Sequence, residues 1–178
     1  MPSTSTSGAH CDPDPAIALA AFPDVPPGTL SHHATMIGQA GAAVVDSVLL
    51  ARGIAVMTAP DGRPWDRMAL LHEEAVTIQV KTTTHVQPSG SYAWNVSCGY
   101  RNSPRGRRAY GRRAFTLLAC VILPVSAVVF HAPGAPRITL KPAEVPNLLR
   151  DPLRSWRQSL HDVGLGHLDP PGAAELEA

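Results

Sequence analysis

The chain has 178 residues and a formal net charge of +1, and this length is enough for one domain with a hydrophobic core. A net charge so close to zero excludes a protein that attracts nucleic acid through an overall positive field. Its three cysteines, Cys11, Cys98 and Cys120, are odd in number and far apart, which excludes a disulfide framework and a zinc-binding cysteine cluster. We therefore expect a protein of a reducing compartment, the cytoplasm, in which Cys120 is buried.

The N-terminal part of the chain is rich in Pro, Ser and Asp and shows little hydrophobic periodicity. We predict that residues 1–29 are disordered. The apolar stretch over residues 16–22 is short and bracketed by Asp and Pro, which is not typical of a signal peptide. After this segment we expect a folded domain over 30–135, followed by short helices and a loose tail over 136–178.

A helix is predicted from Ala34, because apolar residues recur three and four positions apart as far as Ala51. Gly53 is a natural C-cap for this helix. Gly38 and Gly41 would weaken an isolated helix, because glycine has a low helix propensity. We interpret them as points where the helix comes close to a β-sheet or to a DNA backbone.

A short strand over 54–57 and a hairpin are predicted next, and the hairpin contains the most informative polar residues. Asp66 lies near the far end of its first strand, and His72-Glu73-Glu74 forms its turn. In its second strand, alternation places Gln79 and Lys81 on one face and the aliphatic residues on the other. We therefore predict that Asp66 approaches Gln79 and Lys81. An acid and an amide oxygen suit Mg²⁺, and a neighbouring Lys can stabilise a phosphoryl transition state.

Asp66 followed by Gln79-Val80-Lys81 resembles the core of the PD-(D/E)XK nuclease superfamily. The Gln in this motif is similar to the branch that contains group I intron homing endonucleases. The helix with Gly38 and Gly41 is similar to the Gly-x-x-Gly helix that opens those domains, and the resemblance covers roughly residues 37–83, with weaker similarity to about 131. It implies an α/β fold in which helices flank a mixed β-sheet, with a restriction-endonuclease-like core. It also implies a metal-dependent endonuclease that hydrolyses DNA phosphodiester bonds.

The resemblance assigns roles to individual residues of the motif. Asp66, Gln79 and Lys81 would be the catalytic residues. Asp66, Gln79 and the Val80 carbonyl would bind Mg²⁺, or Mn²⁺ in its place, and Lys81 would position the attacking water or stabilise the charge of the transition state. Because cutting both DNA strands usually needs two active sites, the resemblance also implies a homo-oligomer.

One position departs from the pattern of the superfamily. Its members usually carry Glu directly after the second glycine of the helix, where this chain has Ala42. Asp46 lies one helical turn later and can share roughly the same face, so it is a candidate auxiliary metal ligand. Two hypotheses remain open: an active endonuclease, and a catalytically silent DNA-binding module on the same scaffold.

A strand containing Tyr92, Trp94 and Val96 is followed by a basic stretch that contains no acids. Its arginines are Arg101, Arg105, Arg107, Arg108, Arg112 and Arg113. Arginine forks suit phosphate oxygens, and the interleaved rings of Tyr100 and Tyr110 can stack on bases. The alternative is a solvated basic loop without a partner. The nuclease-like residues before it favour a DNA-binding loop that includes Tyr110.

The apolar run over residues 115–130 is shorter than the roughly 20 residues that a membrane helix needs, and Pro124 interrupts it. It is better explained by two buried strands, so we expect no membrane contact. A small membrane-associated protein is the alternative interpretation of this run. The pattern over 145–160 predicts one or two short helices broken by Pro152, and the chain from Val163 onward is predicted to be loose.

Overall fold

The computed structural model describes residues 14–99 and 106–168. Its helices are α1 (Pro15–Ala18), α2 (Pro27–His32), α3 (Ala34–Leu50), α4 (Val145–Arg150) and α5 (Arg154–Asp162). Its strands are β1 (Ala55–Thr58), β2 (Arg67–Leu71), β3 (Glu74–Thr83), β4 (Tyr92–Asn95), β5 (Leu117–Ile122), β6 (Ala127–His131) and β7 (Arg137–Leu140).

Five of these strands form a mixed sheet in the order β1-β2-β3-β5-β6. β3 and β5 are parallel neighbours, whereas the other three pairs of this sheet are antiparallel. β4 and β7 form a separate two-stranded antiparallel sheet. The predicted α/β fold, with helices beside a mixed sheet, is confirmed.

α3 packs on one face of the large sheet through the apolar stripe that its sequence predicts. Val45 and Leu49 are fully buried and share a core cluster with Val76, Ile78 and Val80 of β3. Burying this stripe stabilises α3 more than helix propensity can, because the helix contains two glycines. α3 thus packs against the face of β3 that carries its even-numbered residues.

α3 approaches β3 most closely at Gly41. A Cβ atom at this position would overlap Thr82 Oγ1, whereas a Cβ atom at Gly38 would meet nothing within 4 Å. The interpretation that glycine allows the helix to approach the sheet is therefore confirmed for Gly41. The absence of a side chain there sets the distance between α3 and the end of β3.

The opposite face of the large sheet is covered by the small sheet. Trp94 of β4 is buried in a second core cluster with Leu118 and Ile122 of β5, and its Nε1 donates to the Val121 carbonyl at 3.2 Å. Every residue of β5 is buried, because its two faces contribute to the two clusters. The apolar run over 115–130 therefore forms strands, as predicted, and no helix in residues 14–99 or 106–168 is long and apolar enough to cross a membrane.

At both ends of the described chain, the structure shows folded residues where the sequence predicts a disordered or loose segment. Part of the segment predicted to be disordered, 1–29, forms α1 and the start of α2, where Asp14 caps the backbone of Ala16 and a proline begins each helix. Part of the predicted loose tail also folds, because Leu168 is buried against the first core cluster. Residues 1–13 and 169–178 lie outside the described chain.

Candidate active site

Asp66 and Gln79 lie opposite each other where β2 and β3 separate. The hairpin register ends at Arg67 and Ile78, whereas β3 continues to Thr83. The Val80 N–H therefore has no partner in β2, and Asp66 Oδ2 accepts it at 2.7 Å. The same Oδ2 accepts a hydrogen bond from Gln79 Nε2 at 2.5 Å. This split in the hairpin brings a carboxylate to the free edge of β3.

Gln79 Nε2 also donates to the main-chain carbonyl of Val80, at 3.0 Å. Two oxygens, Asp66 Oδ2 and the Val80 carbonyl, thus converge on one nitrogen. The Gln79 residue is only 7% exposed, so its amide is held in this position by packing as well as by hydrogen bonds. The two oxygens are of the kind that Mg²⁺ prefers.

Lys81 lies on the same face of β3 as Gln79, because its cross-strand partner Cys120 belongs to the same core cluster as Leu118, the partner of Gln79. Its Nζ donates to the Ser97 carbonyl at 3.1 Å and to the Tyr110 hydroxyl at 2.9 Å. Burial lowers the pKa of the Lys81 ammonium, and the nearby Asp66 carboxylate opposes this shift.

Packing of its aromatic ring holds Tyr110 in place. The ring meets Phe115 edge to face with centroids 5.0 Å apart, and Lys81 Nζ lies 5.2 Å from the Tyr110 centroid. Burial, together with the charge of Asp66, raises the pKa of the Tyr110 hydroxyl to about 12. The hydroxyl therefore stays uncharged at neutral pH.

The described part of the arginine-rich stretch lies beside Lys81. Cys98 and Arg108 form an isolated antiparallel bridge, with main-chain N–O distances of 2.9 and 3.0 Å. The exposed arginines of this part are Arg107, Arg108, Arg112 and Arg113. The other two predicted DNA-binding arginines, Arg101 and Arg105, lie outside the described residues.

Asp46 forms an ion pair with Arg67, which no sequence motif indicates as a site residue. Arg67 Nε donates to Asp46 Oδ1 at 2.6 Å, and Arg67 Nη1 donates to the Asp66 carbonyl at 3.0 Å. Asp46 is therefore linked to Asp66 through Arg67. An arginine directly after the motif acid, opposite an acid on the preceding helix, is a signal that could have found this pair.

A cavity of about 270 Å³ opens beside these residues. It is lined by Asp66, Arg67, Gln79 and Val80 from the sheet region and by Thr35, Gly38, Gln39 and Ala42 from α3. Ala42 therefore faces the same space as the motif residues. In the described part of the chain, no group of three or more His, Cys, Asp or Glu residues is placed to hold a metal ion. The oxygens for a metal would thus come from one acid, one amide and one carbonyl.

No protein-family model matches the sequence, and comparison with curated proteins finds no match. Among solved structures, the fold is similar to that of the bacterial homing endonuclease I-Ssp6803I, with a TM-score of 0.53 and 16% sequence identity. The match covers 60% of this chain and 76% of that protein's chain. The chain therefore has a fold similar to that of this homing endonuclease.

Proposed function

We propose that this protein is a metal-dependent endonuclease that hydrolyses DNA phosphodiester bonds. The observation that carries the proposal is the contact between Asp66 and Gln79 at the free edge of β3. Lys81 lies on the same face of β3, and the charge of Asp66 acts on its ammonium. The fold shared with a homing endonuclease supports DNA as the substrate, and the exposed arginines beside Lys81 supply positive charge for its phosphates.

The residues at the split hairpin fit a magnesium ion. Asp66 and the Val80 carbonyl would bind it, and rotation of the Gln79 amide would exchange its nitrogen for its oxygen as a third ligand. Mn²⁺ suits the same oxygens. When bound, the ion would polarise a phosphodiester oxygen and lower the pKa of a bound water.

Lys81 would act on the reacting phosphate. Its ammonium is fixed by two uncharged oxygens, so it can donate to the phosphate or orient the attacking water without large rearrangement. Its partial burial strengthens this interaction, because charges are less screened away from water.

A second hypothesis is a catalytically silent module that binds DNA through the same surface. Two observations favour it: Ala42 occupies the helix position that faces the cavity, and the Asp46 carboxylate is already paired with Arg67. In that case the arginines would still bind phosphates, and the site would lack enough negative charge to retain a metal ion.

Incubation of purified protein with supercoiled plasmid, with Mg²⁺ or with a chelator, separates the two hypotheses. We expect metal-dependent nicking or linearisation by the wild type, and Lys81→Ala should lower the rate by about 100-fold or more without a matching loss of DNA affinity. Lys141→Ala is the matched control, because Lys141 is exposed and is the chain's other lysine. A wild type that binds DNA but never cuts it establishes the silent module. Equal cutting by Lys81→Ala contradicts the assigned site.

We further propose that the protein acts as a homo-oligomer, because one such site cuts one strand. Sedimentation of the protein with and without DNA tests this. A monomer under all conditions, together with only nicked product, would contradict it.

A further inference from the structure

Lys81 is held by two groups that come from the same part of the chain. Ser97 directly precedes Cys98, and Tyr110 follows Arg108 by two residues. Cys98 and Arg108 pair through their main chains. Both hydrogen-bond partners of Lys81 are therefore attached to the base of the arginine-rich stretch, and the backbone bridge sets the distance between them.

From these contacts we infer that Tyr110 is the positioning residue of Lys81: its hydroxyl fixes the lysine amine at the reacting phosphate. The inference rests on the proposed function for its role in cleavage. It goes beyond that function because it gives Tyr110 a task other than stacking on a DNA base.

The need for a positioning group follows from the chemistry of lysine. A lysine side chain has four rotatable bonds, and fixing them in one conformation costs conformational entropy. A hydroxyl that accepts a hydrogen bond from the amine offsets part of this cost before DNA arrives. Because Tyr110 and Ser97 offer uncharged oxygens, they hold Lys81 without neutralising it. The Asp66 carboxylate remains engaged with Gln79 and Val80 instead.

The position of the Tyr110 ring supports this role. The ring is packed edge to face on the buried Phe115, so the hydroxyl at its far end has a defined position. Tyr110 is also partly buried, which leaves less of the ring surface for a base than an exposed tyrosine would offer. The two roles depend on different atoms: positioning requires the hydroxyl, whereas stacking requires the ring.

Three variants separate the roles. Tyr110→Phe removes the hydroxyl and keeps the ring, Tyr110→Ala removes both, and Tyr92→Phe removes a tyrosine hydroxyl from β4 as the control. For Tyr110→Phe we expect a single-turnover cleavage rate lower by about 10- to 100-fold, with an unchanged DNA dissociation constant. If Tyr110→Phe cuts like the wild type and Tyr110→Ala loses DNA affinity, the tyrosine stacks on a base and the inference is wrong.

A second measurement does not depend on cleavage. An amine-acylating reagent modifies Lys81 and Lys141, and peptide mass spectrometry gives the ratio of the two rates, with Lys141 as the internal reference. If the Tyr110 hydroxyl holds the Lys81 amine, Tyr110→Phe should raise the Lys81-to-Lys141 ratio by about 2- to 10-fold, the factor that one hydrogen bond is worth. Tyr92→Phe should leave it unchanged.

The two measurements distinguish the failure of each idea. A wild type that does not cut DNA defeats the proposed function, while a raised labelling ratio in Tyr110→Phe would still establish the contact that fixes Lys81. An unchanged ratio defeats the inference even if the wild type is an active nuclease.

Discussion

Arg67 bridges Asp46, the only acidic residue of α3, and the main-chain carbonyl of Asp66 through two hydrogen bonds. Its Nε lies 2.6 Å from Asp46 Oδ1, and the two side chains are 15% and 28% exposed. The guanidinium neutralises Asp46 at the position where the sequence predicts an auxiliary metal ligand. A metal ion at Asp46 would therefore compete with Arg67 for this carboxylate.

The Asp46–Arg67 pair should therefore contribute to stability. A double-mutant cycle with Asp46→Asn and Arg67→Gln is expected to give a coupling energy of about 1 kcal/mol, measured by urea unfolding without metal. If the coupling energy is zero and Asp46→Asn weakens Mn²⁺ binding, Asp46 serves the metal and not the arginine.

Ala42→Glu should restore the acid that the resemblance leads one to expect. The new carboxylate would enter the cavity beside Asp66, and we expect Mn²⁺ to bind at least about tenfold more tightly, as measured by calorimetry. Ala43→Glu is the control, because it introduces the same charge at an exposed position of α3. Equal metal affinity in the two variants would mean that position 42 does not face the metal.

The arginine-rich stretch should bind phosphates. Replacement of Arg105, Arg107 and Arg108 by Ala is expected to weaken duplex DNA binding. It should also reduce the slope of log K against log salt by about 0.9 for each phosphate that the variant no longer binds. Fluorescence anisotropy over a salt series measures both effects. Arg154→Ala, an exposed arginine on α5, provides the control. A weaker affinity with an unchanged slope would show that these arginines do not touch phosphate.

The two glycines of α3 should respond in opposite directions to the same substitution. Gly41→Ala would push a Cβ atom into Thr82, so we expect a loss of about 1–3 kcal/mol in the free energy of unfolding. Gly38→Ala meets open space and should gain about 0.5–1 kcal/mol, because alanine favours a helix. Urea unfolding of both variants checks the pair, and a destabilised Gly38→Ala would contradict the packing of α3.

His131 should make stability depend on pH. Burial lowers its pKa, and its Nε2 has no hydrogen-bond partner among the described residues. As the pH falls, the unfolded chain therefore takes up a proton on this side chain at a higher pH than the folded chain does. Stability should fall as the pH falls below the ordinary histidine value of about 6.5, until the folded pKa is passed.

His131→Gln should reduce this fall in the urea midpoint between about pH 7 and pH 5. His72→Asn, on the exposed hairpin turn, is the control. An equal fall in wild type and His131→Gln would assign the pH dependence to other groups.

The hairpin of the site could be predicted from the sequence because its information is local. The alternation of Gln79 and Lys81 with aliphatic residues indicates both the strand and its faces, and the short polar turn fixes the register that brings Asp66 near. α3 and the β5–β6 pair were predictable for the same reason, since their apolar periodicity lies within one continuous segment.

The partners of Lys81 could not be predicted, because they depend on long-range packing. Ser97 and Tyr110 are 16 and 29 residues away in sequence, and Ser97 contributes a main-chain oxygen that no side-chain pattern identifies. β7 also went unpredicted. It has four residues, of which only Leu140 is buried, so its pairing with β4 leaves almost no periodic signal.

The Cys98–Arg108 bridge bears on how freely the chain between these two residues can vary in sequence. Its two main-chain hydrogen bonds hold the ends of the intervening stretch side by side, whatever its length or composition. Loop closure costs little more free energy as a loop grows, about 0.6 kcal/mol for each doubling. The chain between these anchors is therefore a place where insertions and exchanged sequences could be accommodated while Asp66, Gln79 and Lys81 stay where they are.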